Sequence, residues 1–221
     1  MARFARLVVP GYPHHITQRG VRSMNIFASD DDRRAYLTFM AEESERFGVT
    51  FLAWCLMTNH VHLIAQPGDS DSLARAIGEA HRRYTRMKNF SEGVRGYLFQ
   101  GRFGSCVLDQ QHLLAAGRYV ERNPVRARLV KEATEYAWSS CRFNCGLVET
   151  DPLVLERQLP EMVGDWPAFV REWDSEADTK VRMGTRTGRP VGDEVFVDKL
   201  EQLARRILRP KPAGRPCSGE K

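Results

Sequence analysis

The sequence predicts an α+β fold in which helices pack on an antiparallel β-sheet and a basic helical extension follows. Short apolar segments alternate with longer amphipathic ones in the order strand, helix, hairpin, helix, strand, helix. Two of the strands are joined by the tight turn Thr58-Asn59 and must therefore be antiparallel. The 221 residues, of which 42% are hydrophobic and 28% charged, have the composition of an ordinary globular protein.

Four segments are predicted as strands because they are short, apolar and rich in β-branched or aromatic residues. Residues 14–21 form the first strand, which ends in a basic turn. Residues 49–57 and 60–66 form the hairpin, and residues 106–108 form a short fourth strand. The hairpin ends at Pro67, which cannot donate a ladder hydrogen bond.

Amphipathic periodicity and capping residues predict the helices that cover the sheet. The first helix begins near Asp30, where negative charge favours a helix start, and ends before Gly48. The second spans residues 72–87 and has one apolar and one basic side. The third follows the N-cap Asp109 and ends before Pro124, since the residue preceding proline disfavours the helical conformation.

We expect three parts along the chain: a body at residues 1–147, a helical extension packed on it at 148–179, and a basic linker, short helix and flexible tail at 180–221. Aromatic residues predict a helix at 165–173, and helical spacing predicts another at 195–208. The polar stretch at 175–192 is predicted as a linker between them.

The charge is distributed unevenly. The chain has a net charge of +5 and a pI of about 9.1. Residues 180–221 hold 11 Lys and Arg against 5 Asp and Glu, which leaves the other residues at a net of −1. This C-terminal excess predicts non-specific attraction to phosphates.

Composition also predicts the compartment. No apolar run is long enough to span a bilayer, and the first residues lack the apolar core of a secretion signal. The five cysteines are odd in number and irregularly spaced, which favours reduced thiols over a disulfide framework. We therefore expect a cytoplasmic protein without a membrane partner.

The most informative pattern is His60-Val61-His62 at the start of a strand that is otherwise apolar. Residues i and i+2 of a strand point to the same face, so the two imidazoles should lie side by side. Buried polar groups need partners, and a divalent metal ion is one such partner. A hydrogen-bonded histidine pair is the alternative, and a metal site would need a third ligand.

Tyr119 and Asn123 form a second pattern, because residues at i and i+4 are neighbours on one helix face. Of the six tyrosines, only Tyr119 has a side-chain amide four positions later. The amide oxygen of Asn123 could complete a metal shell, with Tyr119 facing the same ion. The alternative is a half-buried helix tyrosine followed by a helix C-cap.

Three motifs occur in order, namely Leu56-Met57-Thr58-Asn59-His60-Val61-His62, Phe99-Gln100-Gly101-Arg102-Phe103 and Arg118-Tyr119-Val120-Glu121-Arg122-Asn123-Pro124-Val125-Arg126-Ala127. Together they resemble the single-tyrosine transposases of the His-hydrophobic-His superfamily, in particular the branch associated with repetitive extragenic palindromes. The resemblance runs from about His15 to Val130, over half of the chain. It implies a ferredoxin-like His-hydrophobic-His nuclease fold, with residues 1–147 as the catalytic domain.

The resemblance implies roles for single residues. His60 and His62 would bind Mg²⁺ or Mn²⁺ with Asn123 as the third ligand, and Tyr119 would be the nucleophile that forms a 5′-phosphotyrosine. Insertion-sequence members often carry glutamine where Asn123 stands, so the shorter side chain is a departure from their pattern. No nucleotide cofactor is expected, and the sequence contains no phosphate-binding Gly-x-x-x-x-Gly-Lys loop.

The expected partner is single-stranded or hairpin DNA, bound by a monomer or a homodimer. Basic grooves and aromatic stacking hold single strands, and the residues expected to contact DNA are Arg19, Arg82, Arg83, Arg102, Phe103 and Arg126. The expected activity is cleavage and rejoining of single-stranded DNA at hairpin-forming repeats. The alternatives are a repeat-bound regulator that does not cut and a hydrolytic metal-dependent nuclease.

Overall fold

The sheet has four antiparallel strands, as predicted. The computed structural model describes residues 6–209. Its strands are β1 (His14–Arg19), β2 (Val49–Met57), β3 (His60–Pro67) and β4 (Gly104–Val107). They lie in the order β2-β3-β1-β4, so the strand that begins with the histidine pair is central in the sheet.

Alternation along β3 separates two buried faces of this sheet. Val61 and Leu63 belong to the core on one face, while His60 and His62 point to the other. The antiparallel register places His15 of β1 on the histidine face as well. Each face is then covered by its own helices, which excludes water from most of both.

Helices α1 (Asp30–Phe47) and α2 (Ser72–Glu92) cover the face opposite the histidines. Ser29 forms a capping box at the start of α1, and Gly48 ends that helix in the left-handed conformation with φ of 64°. Helix α2 continues beyond its predicted end at residue 87. The reason is the buried Lys88, which pairs with an α1 carboxylate and so keeps the last turn packed on α1.

Helix α3 (Gln110–Glu121) packs on the histidine face and carries Tyr119. Its N-cap is Asp109, as predicted, whose carboxylate accepts a hydrogen bond from a backbone N–H of the first turn. The chain then turns at Arg122 into the short helix α4 (Asn123–Arg126). Pro124 lies in the first turn of α4, where its missing N–H is tolerated.

Three short helices pack on α3: α5 (Cys141–Asn144) at the end of the body, and α6 (Gln158–Val163) and α7 (Trp166–Arg171) in the extension. Glu121 at the end of α3 is fully buried and is held by three donors, the Ser140 hydroxyl, the Asn144 amide and the Trp166 indole, at 2.7, 2.7 and 2.8 Å. Burial raises the pKa of Glu121, and the three donors that meet on its carboxyl group hold the end of α3 in place. The aromatic helix predicted near residue 166 is therefore part of the core.

The predicted linker at residues 175–192 is wrong, because most of it forms helix α8 (Ser175–Thr187). Asp174 caps the helix, and its buried side packs against α3 and β4. That side consists of Val181, Gly184 and Thr185, of which only Val181 is a large apolar residue. Gly184 allows the close approach, since a Cβ there would lie 2.1 Å from a valine side chain.

Residues outside the four strands pair with both edges of the sheet. Ser139 forms an antiparallel bridge with Cys55 on β2, and Val191 forms a parallel bridge with Leu108 just after β4. Helix α9 (Glu194–Ala204) follows and ends four residues before its predicted end at residue 208. None of the helices within residues 6–209 is long and apolar enough to cross a membrane. The flexible tail predicted at the C-terminal end falls on residues 210–221, which lie outside the described residues.

Candidate active site

His60 and His62 lie side by side at the start of β3, as their spacing predicts. Their ring centroids are 5.0 Å apart, and the ring planes are nearly perpendicular at 79°. Each ring forms its hydrogen bond through Nδ1, His60 with Oδ1 of Asn59 at 2.6 Å and His62 with Nε2 of His15 at 3.0 Å. The amide of Asn59 donates to the carbonyl of Ser23, so its oxygen faces His60 and accepts the Nδ1 proton.

Electrostatics keep these rings neutral near pH 7. Burial, and then the charges of Arg19 and Arg126, lower the pKa of His60 to about 4. Burial lowers the pKa of His62 as well, and the neighbouring histidines and arginines add to the effect. Burial followed by Arg126 lowers the pKa of His15 to about 3. Neutral imidazoles are the form that binds metal ions.

Tyr119 lies directly over the histidines because α3 crosses this face of the sheet. Its ring centroid is 5.5 Å from that of His62 and 5.6 Å from that of His15, with both contacts edge-on. The side chain is 4% exposed. The helix and the strand thus bring together two motifs that are nearly sixty residues apart in the sequence.

Arg126 returns over Tyr119 because the chain turns between α3 and α4. Its guanidinium lies 4.4 Å from the centre of the tyrosine ring, and Nη2 donates to the Tyr119 hydroxyl at 3.0 Å. Its Nη1 is buried and has no hydrogen-bond partner among the described residues. A cation held in this way can accept an anionic group beside the tyrosine hydroxyl.

Asn123 occupies the corner between the two helices and is 2% exposed. Its Nδ2 donates to the backbone carbonyl of Tyr119 at 3.0 Å, so the amide caps the end of α3. Its Oδ1 accepts from Nη2 of Arg126 at 2.8 Å. The oxygen expected to bind a metal ion is therefore hydrogen-bonded to Arg126 in this structure.

More than half of the sequence matches a known protein family. Residues 10–123 match the model of the IS200-like transposases, which is more than half of the chain. This chain belongs to the IS200-like transposase family.

Solved structures of other proteins have a similar fold. One of them, a REP-associated tyrosine transposase bound to a REP hairpin, aligns with a TM-score of 0.57 and 16% sequence identity. The alignment covers 71% of this chain and 92% of that one. At this identity the likeness shows a shared fold, which confirms the predicted fold class. No curated protein matches the sequence significantly.

Transposases of the single-tyrosine kind are expected to use a divalent ion, and the donor atoms fit one in part. With both Nδ1 atoms in hydrogen bonds, His60 and His62 can offer Nε2 to a common ion. Within the described residues no three His, Cys, Asp or Glu side chains are grouped to hold a metal ion. The amide oxygen of Asn123, expected as the third ligand, is bonded to Arg126.

Three of the residues expected to contact DNA lie near the histidine end of the sheet. Arg19 is exposed and stands opposite His60 across the strand pair. Arg102 is exposed in the loop before β4. Phe103 is buried, and its ring is covered by the guanidinium of Arg6 at 3.5 Å. The ring of Phe103 is therefore closed to a stacking base.

The remaining two candidates, Arg82 and Arg83, lie on α2, away from the tyrosine. Arg83 joins α2 to α1 through carboxylates at 2.6 and 2.7 Å. Arg82 lines a groove of about 820 Å³ between α2 and the segment that follows it. The same groove exposes Phe90 and Tyr97, each 90% exposed, beside further arginines. The sequence analysis did not predict these exposed aromatic rings. Their position in or beside a basic, glycine-rich segment could have indicated a surface for nucleic-acid binding.

Two buried residues that touch the histidine site were also not predicted. His15 was placed on the first strand without a role, yet it bonds His62. The pairing of β1 with β3 places His15 on the same face of the sheet as His60 and His62. A prediction of this pairing would have identified His15 as a neighbour of the site. Thr185 bonds His15 from α8 at 2.6 Å, and no local pattern in a polar segment indicates that contact.

Proposed function

We propose that this transposase-family protein is an enzyme that cleaves and rejoins single-stranded DNA at hairpin-forming repeats through a covalent 5′-phosphotyrosine on Tyr119. The observation that carries the proposal is the position of its hydroxyl. It receives a hydrogen bond from Arg126 and belongs to a ring in contact with His62. The hairpin bound by the structurally similar REP-associated transposase supports this class of substrate. Since cellular DNA would be the substrate, we propose that the protein acts in the cytoplasm.

The reaction is a transfer of one phosphodiester bond. The Tyr119 oxygen bonds to phosphorus and loses its proton, while the bond from phosphorus to the leaving 3′ oxygen breaks and that oxygen gains a proton. Attack by another 3′-hydroxyl reverses the step, so that rejoining needs no nucleotide cofactor. A divalent ion on His60 and His62 would polarise the scissile phosphate and offset the charge on its oxygens.

The protein's own groups hold the reactants in place. Arg126 fixes the hydroxyl through Nη2 and has a second buried N–H, on Nη1, for a phosphate oxygen. The edge-on packing of His15 and His62 against Tyr119 restricts the ring. These contacts hold the tyrosine ring and its hydroxyl in one orientation, which favours in-line attack.

We assign hairpin binding to two surfaces. The exposed Arg19 and Arg102 lie close to the histidine end of the sheet, where the cleaved strand would pass. The groove with Phe90 and Tyr97 offers ring faces for stacking and arginines for the backbone. Stacking on an open aromatic ring stabilises single-strand binding by about 1–3 kcal/mol per base.

The test is incubation of the protein with hairpin-bearing single-stranded DNA in Mg²⁺ or Mn²⁺, followed by denaturing electrophoresis. We expect a covalent protein–DNA adduct that Tyr119→Phe abolishes. Tyr12→Phe is the matched control, because it removes a hydroxyl from a half-buried tyrosine that packs on Phe196 of α9 and keeps the ring.

Two other results would replace the proposal. Cleavage that survives Tyr119→Phe would indicate a hydrolytic nuclease in which the metal activates water. Tight hairpin binding without cleavage in either metal would indicate a regulator that retains the fold.

A further inference from the structure

A buried chain of hydrogen bonds joins helix α8 to the histidine site. Thr185 of α8 is 4% exposed, and its Oγ1 lies 2.6 Å from Nδ1 of His15. Nε2 of His15 lies 3.0 Å from Nδ1 of His62, and the two rings are stacked at 5°. Both rings are almost completely buried, so water does not compete for these bonds.

The direction of each bond follows from the end of the chain. The Thr185 hydroxyl lies 2.9 Å from the backbone carbonyl of Val181, and a carbonyl can only accept. The hydroxyl has one proton and two lone pairs. With its proton assigned to Val181, the oxygen accepts from its other neighbours, His15 at 2.6 Å and the Cys106 thiol at 3.2 Å.

The same reasoning continues through the two imidazoles. His15 donates its Nδ1 proton to Thr185, and as a neutral ring it has no proton on Nε2. That nitrogen therefore accepts the Nδ1 proton of His62. His62 is neutral as well, so its Nε2 keeps a free lone pair.

We propose that Thr185 and His15 are positioning residues, which fix the tautomer and ring orientation of His62 so that Nε2 can bind the divalent ion. This inference rests on the metal-dependent proposed function. Second-sphere partners of metal-bound histidines generally act in this way. Thr185 lies outside residues 10–123, the part that matches the family model. The extension thus contributes to the catalytic site through α8.

The first test reads the tautomer directly, in the metal-free full-length protein. Long-range ¹H–¹⁵N correlation spectra distinguish imidazoles protonated on Nδ1 from those protonated on Nε2. We expect both His15 and His62 to be Nδ1–H. An Nε2–H signal for His62 would overturn the proposal, whatever any variant does.

The second test measures Mn²⁺ affinity without DNA, by electron paramagnetic resonance. Thr185→Val keeps the shape and removes the acceptor, and we expect about tenfold weaker Mn²⁺ binding, as for other second-sphere changes. Thr185→Ser retains the hydroxyl and should restore the affinity. Thr187→Val is the matched control, because Thr187 makes the same bond to the carbonyl four residues earlier but lies away from the histidines.

The outcomes separate this proposal from the general function. Equal Mn²⁺ affinities in Thr185→Val and Thr187→Val would overturn the positioning role, even if the adduct on Tyr119 forms. Failure of the proposed function would appear differently, as normal tautomers and Mn²⁺ binding with DNA cleavage that does not need Tyr119. If Thr185→Val does not fold, the proposal is tested by the tautomers of the wild-type protein and by the Mn²⁺ affinity of Thr185→Ser.

Discussion

Arg126 is the residue that connects the nucleophile to its surroundings. It donates to the Tyr119 hydroxyl and the Asn123 oxygen and lies over the tyrosine ring. Its charge also contributes to the lowered pKa of His60 and His62. One cation therefore acts on both halves of the candidate site.

Arg126→Ala should slow formation of the covalent adduct by about 10²–10³-fold, the usual effect of losing one fixed donor at a developing charge. The measurement is the single-turnover rate of adduct formation on hairpin DNA. Arg128→Ala is the control, since Arg128 is exposed two positions later and carries the same charge. Equal losses in the two variants would point to general charge attraction and against a specific role.

For individual residues, the sequence predicts contacts between positions that are close together in the chain. The two-residue period of a strand predicts that His60 lies beside His62. The resemblance carried by the three ordered motifs predicts that Tyr119 lies close to both. The link from His15 to Thr185 joins residues 170 positions apart, and no local period reports such a contact. The hydrogen bond from Arg126 to Asn123 depends on the turn between α3 and α4. Pro124 predicts that α3 ends there, but it does not predict that α4 follows.

Among the elements, α3 is placed by contacts along its whole length. Its end is held by the buried carboxylate of Glu121, and its middle lies so close to the extension that Gly117 has no space for a side chain. A Cβ at Gly117 would lie 2.8 Å from Leu159 and 3.0 Å from Trp166. Close packing at this position sets how far Tyr119 stands from the sheet.

Gly117→Ala should lower the free energy of unfolding by about 1–2 kcal/mol, because overpacking costs more than the gain in helix propensity. Gly78→Ala in α2 is the matched control, since nothing lies within 4 Å of its Cβ position. It should raise the free energy of unfolding by about 0.5–1 kcal/mol. Urea unfolding measures both, and stabilisation by both variants would contradict the close packing.

Helices α1 and α3 are predicted from capping residues and apolar spacing, and α8 is not. Helix α8 also has a capping residue, Asp174, so a local signal for it was present. The buried side of α8 is formed by Val181, Gly184 and Thr185, whose burial depends on the neighbouring elements. A polar composition indicated a linker because tertiary packing, rather than local preference, stabilises this helix.

For the whole molecule, buried histidines couple stability to pH. Burial lowers the pKa of His14 to about 4 and that of His81 to about 3, from 6.5 in the unfolded chain. As pH falls below about 6.5, the unfolded chain binds protons that the folded protein does not. The stabilisation is complete above that pH and is lost progressively in acid.

The free energy of unfolding should therefore fall between pH 6.5 and pH 4, by up to about 1.4 kcal/mol per pH unit for each buried histidine. In His81→Gln, the free energy of unfolding should depend less steeply on pH, by the equivalent of about one bound proton. Urea unfolding between pH 4 and pH 6.5 measures this slope. Any loss of packing in the variant would appear as an offset at pH 8, separate from the slope. An unchanged slope would mean that His81 is protonated in the folded state.

The two bridges made by Ser139 and Val191 have a consequence for self-association. The outer strand of a sheet normally presents unpaired backbone groups that can template another chain. Here the backbone around Ser139 bonds with β2, and that of Val191 bonds with residues at the end of β4. A second copy cannot extend the sheet at these positions. The same cover protects the protein there against strand-mediated aggregation.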